Sequence, residues 1–309
     1  LFSLCRVILI HGWPSKLRAA IERAGTTSLH EFLGGHPDIY MPLQKEPCFF
    51  TFYNEQPSFK DSKHRYTTTV ESYSELFDGH QEKIMGESST PYLYFHQKSI
   101  EHIKQLVADY RKVKILIVLR DPAERAYSQY MHNRRDLLET ATFETAIAEE
   151  KKRMAENWHF DFFYVDKGYY YEQVKSYLDN FDNVKIVFYD TLEKNPDKLL
   201  SEIYEFLDVP QQGQKEMVKR NQSGEMKVKW FKQIINTNKN PILNFFRKLM
   251  SRETKKKLRN WVKDKLLRYN LKKTEMNPET RKQLIELYKN DIIKLQSLVN
   301  KDLSDWMRI

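Results

Sequence analysis

Apolar runs of strand length alternate along this chain with longer stretches in which apolar residues return every three or four positions. Val113 to Leu119 is almost wholly aliphatic or β-branched and stops at Asp121-Pro122, the pattern of a strand buried on both faces. Asn183 to Tyr189 predicts a second strand, with Val184, Ile186 and Phe188 on one side, and Cys5 to Ile10 has the same character near the start. Helical periodicity covers Ala123 to Asp136, Glu144 to Asn157 and Tyr169 to Asn180. It returns at Asp197 to Leu207, through Leu199, Leu200, Ile203, Phe206 and Leu207, and at Pro278 to Leu298, through Leu284, Leu287, Tyr288 and Ile292. Strands separated by helices call for parallel strands joined by crossovers, which predicts an α/β fold. In such sheets ligands bind beyond the carboxyl ends of the strands, so the turns there are the places to look for chemistry.

Composition narrows the class. With 309 residues, 40% hydrophobic and 30% charged, the chain can bury a full core and is not disordered. Two cysteines, Cys5 and Cys48, exclude a disulfide framework and a cysteine-rich zinc module. No apolar run approaches the ~20 residues that span a bilayer. No secretory signal is visible at Leu1, so the expected location is cytoplasmic, with the luminal domain of a membrane-anchored protein as the alternative.

The net charge of +9 is unevenly placed: residues 214–273 hold 19 Lys/Arg against 4 Asp/Glu, which leaves the remainder acidic. Phe245, Phe246, Leu249, Leu258, Trp261, Val262, Leu266 and Leu267 recur between the basic residues, as in amphipathic helices with a solvated face. A surface that attracts an anionic cofactor, substrate or partner is the competing reading. No zinc-finger or RNP motif accompanies the charge, so nucleic acid is not an expected partner.

Two turns carry candidate chemistry. Arg23-Ala24-Gly25-Thr26-Thr27-Ser28 leads into a helix through Leu29, Phe32 and Leu33, and a glycine, three hydroxyls and a helix N-terminus offer donors to an anion. The same Thr-Thr-Ser also makes an ordinary helix cap. It is not a Walker A loop, because the Gly-x4-Gly-Lys-Ser/Thr spacing is absent, which disfavours a generic kinase or ATPase. The second turn, Leu119 to Tyr130, puts Arg120 at a strand end with Arg125 and Ser128 three apart on the following helix. An arginine fork with a hydroxyl suits a terminal phosphate, while Arg120 paired with Asp121 or Glu124 is the plainer alternative.

Taken in order, Gly25-Thr26-Thr27-Ser28, Lys45-Glu46-Pro47-Cys48-Phe49-Phe50, Gly86-Glu87-Ser88-Ser89-Thr90-Pro91-Tyr92-Leu93 and Arg120-Asp121-Pro122-x-x-Arg125-x-x-Ser128-x-Tyr130 resemble the sulfotransferases that use 3′-phosphoadenosine-5′-phosphosulfate (PAPS). Gly168 to Gln173, Lys219 to Gly224 and Leu287-Tyr288-x-x-Asp291-Ile292 extend the match, which is nearest the heparan-sulfate-type branch and bacterial proteins similar to it. The resemblance implies a single P-loop-like three-layer domain over residues 1–309, with a central parallel β-sheet flanked by helices and the basic 214–273 stretch within it. It implies that Arg23, Ala24, Gly25, Thr26, Thr27 and Ser28 hold the 5′-phosphosulfate, and that Arg23 also sits at the transferring group. Arg120 and Ser128 then hold the 3′-phosphate, and Arg220, Ser223 and Gly224 close over the nucleotide. The pattern is broken before the first loop, where Ala20 replaces an expected glycine and residues 11–20 intervene after the strand.

Glu46 matches the catalytic base of that branch; in isolation it reads as an ion pair with Lys45. His132 is a second catalytic candidate, since histidine is the base in other branches. Sulfuryl transfer asks for positioning, charge stabilisation and a base, and no metal. The histidines show no pair at metal-ligand spacing with nearby carboxylates. The expected reaction moves a sulfuryl group from PAPS, leaving PAP, to a hydroxyl or amine on a sugar, lipid or carrier-protein-bound acyl group. A non-catalytic anion-binding module and a kinase-class transferase are the alternatives.

Overall fold

The structure, a computed structural model, describes residues 6–11, 26–44, 46–60, 64–136, 138–212, 225–226, 271–272 and 275–309. The chain divides into two compact units. One comprises Leu1–Tyr130, Ala141–Asn221 and Met276–Ile309, and the other Met131–Thr140 and Gln222–Glu275.

The first unit is built on a five-stranded sheet of β1 (Arg6–His11), β2 (Ile39–Tyr40), β3 (Ile84–Ser89), β4 (Lys114–Leu119) and β5 (Asn183–Phe188), in the order β2-β3-β1-β4-β5. Its α/β class is the predicted one. The pairs β2–β3 and β4–β5 are parallel. Strand β1 runs antiparallel to both neighbours, a departure from the wholly parallel sheet that the alternation of elements predicts. Because β3 and β4 each oppose β1, they run the same way as each other. The carboxyl ends of β2, β3, β4 and β5 therefore share one edge of the sheet.

Five of the helices lie wholly or mainly in this unit: α1 (Thr26–Leu33), α2 (Pro122–Arg135), α3 (Tyr171–Asn180), α4 (Pro196–Leu207) and α5 (Pro278–Val299). Helix α4 starts where Pro196 follows Asn195, whose side chain accepts the Lys198 N–H at 3.3 Å, and its stripe of Leu199, Leu200, Ile203, Tyr204 and Leu207 is buried. That stripe joins Leu29 and Leu33 of α1 and Leu116, Val118 and Val187 of the sheet in one core cluster. The alternate β4 residues Ile115, Ile117 and Leu119 are equally buried, so β4 is covered on both faces, as its unbroken apolar run predicts. Helix α5 is tied to α3 by Asp291, whose carboxylate accepts the Tyr170 and Tyr171 N–H groups at 2.7 and 3.2 Å. At Gly168 an added Cβ would sit 2.6 Å from the Tyr288 ring, so that close approach requires glycine.

The predicted helix Glu144 to Asn157 is instead two, Phe143–Ala148 and Glu150–Ala155. Glu150 is buried there, with its carboxylate accepting the Val165 and Asp166 N–H groups at 2.7 Å. In the second unit the strands Glu225–Met226 and Leu271–Lys272 pair antiparallel. The rest of the basic stretch 214–273 lies outside the described residues. Among the described residues no helix is long and apolar enough to cross a membrane.

Candidate active site

Two turns reach the shared carboxyl edge. Ser89 of β3 and Ile117 of β4 both face Val7, one from each side. Two strand spacings, about 10 Å, therefore separate them. Thr90 and Arg120 follow at the ends of these strands.

On the β3 side, Glu46 and Cys48 both take the left-handed backbone region, with φ of 48° and 54°. Non-glycine residues hold that conformation only where their surroundings impose it. Here the Cys48 N–H donates to Ser89 Oγ at 2.9 Å, the Thr67 N–H donates to the Pro47 carbonyl at 2.9 Å, and Phe49 and Phe50 are buried beneath the turn. The Thr90 hydroxyl lies 2.7 Å from both oxygens of Glu46, which fixes the direction of a half-buried carboxylate. Lys45, the alternative partner suggested by sequence, lies outside the described residues.

Beneath this turn sits Glu87 of β3, with no solvent exposure. It accepts hydrogen bonds from Ser89 Oγ at 2.7 Å, from Tyr73 Oη at 3.4 Å and from Tyr92 Oη. Burial pushes its carboxyl up to about 8, against the pull of these donors, and the nearby Glu46 charge adds to the rise. Burial likewise pushes the Cys48 thiol well above its ordinary value, with the Glu46 and Glu87 charges reinforcing it. Cys48 is therefore a packed thiol and not a nucleophile.

On the β4 side, Asp121 caps α2, its Oδ1 accepting the Ala123 and Glu124 N–H groups at 2.8 and 3.1 Å. Its Oδ2 pairs with Arg281 at 2.8 Å, so Asp121 is not the partner of Arg120. Arg120 lies over the Tyr189 ring at 5.0 Å and bonds Glu124 through Nη2 at 3.3 Å. Its side chain is only 13% exposed, and its Nη1 is buried with no hydrogen-bond partner among the described residues. A buried guanidinium donor left unmatched is costly, and an anion bound at this edge would satisfy it. Ser128 is buried on α2.

Other expected residues fall differently. Arg125 is fully buried and donates to the Tyr164 carbonyl, so it braces the core and does not form the fork that its spacing suggests. Tyr170 is also core, donating to the Arg120 carbonyl at 3.1 Å. His132 stands 3.4 Å from Asp136 Oδ2, one turn along α2. Thr26, Thr27 and Ser28 open α1. Arg23, Ala24, Gly25, Arg220, Ser223 and Gly224 lie outside the described residues. Sequence reasoning missed Thr90 and Glu87 as parts of the site. Their signal was the Gly86 to Leu93 stretch, quoted for its match and given no role.

A family model described as the sulfotransferase domain matches residues 17–298. Over 213 residues the chain is 30% identical to the bifunctional heparan sulfate N-deacetylase/N-sulfotransferase 1 of Mus musculus, covering 64% of this chain and 22% of that protein. The chain thus spans less than a quarter of the length of that relative. It is 22% identical over 280 residues to the membrane-associated sulfotransferase kil1 of Dictyostelium discoideum, covering 63% of this chain and 56% of kil1. A crystal structure of a sulfotransferase from Alicyclobacillus acidocaldarius superimposes with a TM-score of 0.70 at 26% identity, over 96% of this chain and 100% of that one.

Proposed function

Because the chain belongs to the sulfotransferase domain family, we propose that it transfers a sulfuryl group from PAPS to a hydroxyl or amine, with Glu46 as general base. The observation that carries the proposal is Arg120, whose buried Nη1 has no partner among the described residues at the edge where a nucleotide phosphate is expected. PAPS supplies the sulfuryl group and leaves as PAP. Arg120 and Ser128 bind its 3′-phosphate, the group that separates PAPS from AMP-like nucleotides. Arg23 to Ser28 hold the 5′ end, with Arg23 neutralising charge on the departing oxygen, and Arg220, Ser223 and Gly224 complete the nucleotide site.

Glu46 takes the proton of the acceptor. Thr90 holds its carboxylate in one orientation, so the base is aimed before the acceptor arrives. His132 is the second candidate for that role. The acceptor is a glycan, lipid or carrier-bound acyl group. A glycan amine is the first to test, given relatives named as heparan sulfate N-sulfotransferases. We place the reaction in the cytoplasm, with a lumen as the alternative compartment.

The test compares thermal stability with PAP, AMP and ATP–Mg²⁺ at matched ionic strength. PAP at ~100 times its dissociation constant should stabilise by ~2.7 kcal/mol, and Arg120→Ala should remove that gain. Equal stabilisation by AMP would show that no 3′-phosphate is being read.

A further inference from the structure

The sequence holds no close-spaced histidine pair beside carboxylates, yet the fold makes one from residues 95 positions apart. An isolated parallel bridge joins Lys60 to Trp158. The Lys60 N–H donates to the Asn157 carbonyl at 2.9 Å, and the His159 N–H donates to the Lys60 carbonyl at 3.1 Å. This small ladder sets Lys60, four positions before His64, against the segment carrying His159 and Asp161. One ligand atom from each of His64, His159 and Asp161 then lies within 4.8 Å of the others.

We propose that His64, His159 and Asp161 form a binding site for a divalent transition metal of the zinc class. Asp161 Oδ2 stands 3.3 Å from His159 Nδ1 and 3.8 Å from His64 Nε2. Ligands about 2.0 Å from a tetrahedral zinc are separated by roughly 3.3 Å, so the first contact already matches and the second comes within reach on rotation of the His64 ring.

The surroundings supply what such a site needs outside its ligands. A coordinating imidazole donates its other ring N–H to an oxygen, which fixes the tautomer. His159 Nε2 is 2.6 Å from Tyr66 Oη, placed for that bond. The other Asp161 oxygen, Oδ1, is 3.8 Å from Lys167 Nζ, which also donates to the Phe160 carbonyl at 3.2 Å. The carboxylate is thereby turned with Oδ2 toward the imidazoles.

His159 is buried, with Nδ1 accepting the Asp161 N–H at 3.2 Å, a bond the metal would replace, whereas the His64 side chain is 58% exposed and its ring stacks on His159 with centroids 4.8 Å apart. Coordination requires the lone pairs of both rings to converge, so His64 must rotate out of the stack. Its exposure leaves room for that rotation. Two imidazoles with one carboxylate select zinc, cobalt or nickel over magnesium or calcium, which want all-oxygen shells. Water completes the coordination. The metal would staple the strap after the Glu46 turn to the His159 segment, a role separate from sulfuryl transfer.

The test titrates the metal-free, untagged full chain with Co²⁺, followed by its visible d–d absorption, and with Zn²⁺, followed by calorimetry and melting temperature. One equivalent should bind and raise the melting temperature, while Mg²⁺ should do neither. Loss of an outer partner costs 10–100-fold in metal affinity, so Tyr66→Phe should weaken binding by about tenfold, and His64→Ala, which loses a ligand, by more than ~100-fold. His64 is exposed, so that variant keeps its fold, and Asp161→Asn provides a second removal. No saturable binding by the wild type, or binding unchanged in both ligand variants, overturns the site.

Discussion

The two turns at the carboxyl edge of the sheet differ in how much of their geometry is local. After β4 the chain passes through Asp121 into α2, and the cap and the Arg120–Glu124 bond that shape the turn join residues within four positions, with Tyr170, Tyr189 and Arg281 bracing it from farther along the chain. The Glu46-Pro47-Cys48 turn has two left-handed non-glycine residues and is held by Thr67, Ser89 and Thr90, 20 to 44 positions away. A locally specified turn tolerates changes in the core behind it. A turn imposed from outside depends on the core, and here that core includes a buried carboxylate. On the proposed function the division also follows chemistry, since nucleotide recognition sits on the local turn and proton transfer on the imposed one.

The sharpest way to separate the two turns is a crossed pair of variants. Glu46→Gln should lower turnover by ~10²-fold or more while leaving stabilisation by PAP intact. Arg120→Ala should abolish that stabilisation. Retained turnover in the glutamine variant would remove Glu46 as base, and retained PAP stabilisation in the alanine variant would remove Arg120 from the nucleotide site.

The next effect belongs to Glu87. Its native carboxyl is raised to about 8 from an ordinary 4.5, so between those values the folded chain keeps a proton that the unfolded chain has released. Stability is full below the lower value and falls as pH rises through the window. Its contribution is on the order of 4 kcal/mol, and Glu87→Gln should flatten the decline. Urea denaturation at about pH 5 and pH 8 measures it, and parallel slopes in the two proteins would contradict the assignment. Smallest is the local turn: Asp121→Ala removes the α2 cap and should cost ~1 kcal/mol of stability at either pH. A markedly larger loss in urea would mean that the Arg281 pair, and not the cap, holds this turn.

Much of the fold was legible beforehand. The runs predicting β4 and β5 and the stripes predicting α2, α4 and α5 match the observed elements to within a residue or two, because burial on a regular backbone leaves its period in the sequence. Strand β3 left no such trace. Its residues, Ile84-Met85-Gly86-Glu87-Ser88-Ser89, are all buried, yet half of them are polar or charged, and partners distant in sequence satisfy Glu87 and Ser89. Arg120 was found as a strand-end arginine, but its split between a Glu124 bond and a buried nitrogen unmatched among the described residues depends on what packs around it.

The sequence by itself determined the α/β class, most helix boundaries and the ordered motifs that mark a sulfotransferase domain, since each depends on residues close along the chain. Only the tertiary structure decided the direction of β1, the aim of Glu46 toward Thr90, the turning of Arg125 into the core, the raised carboxyl of Glu87 and the meeting of His64 with His159. These depend on which distant groups share a small, dry volume. There, desolvation and a single hydrogen bond outweigh any local propensity.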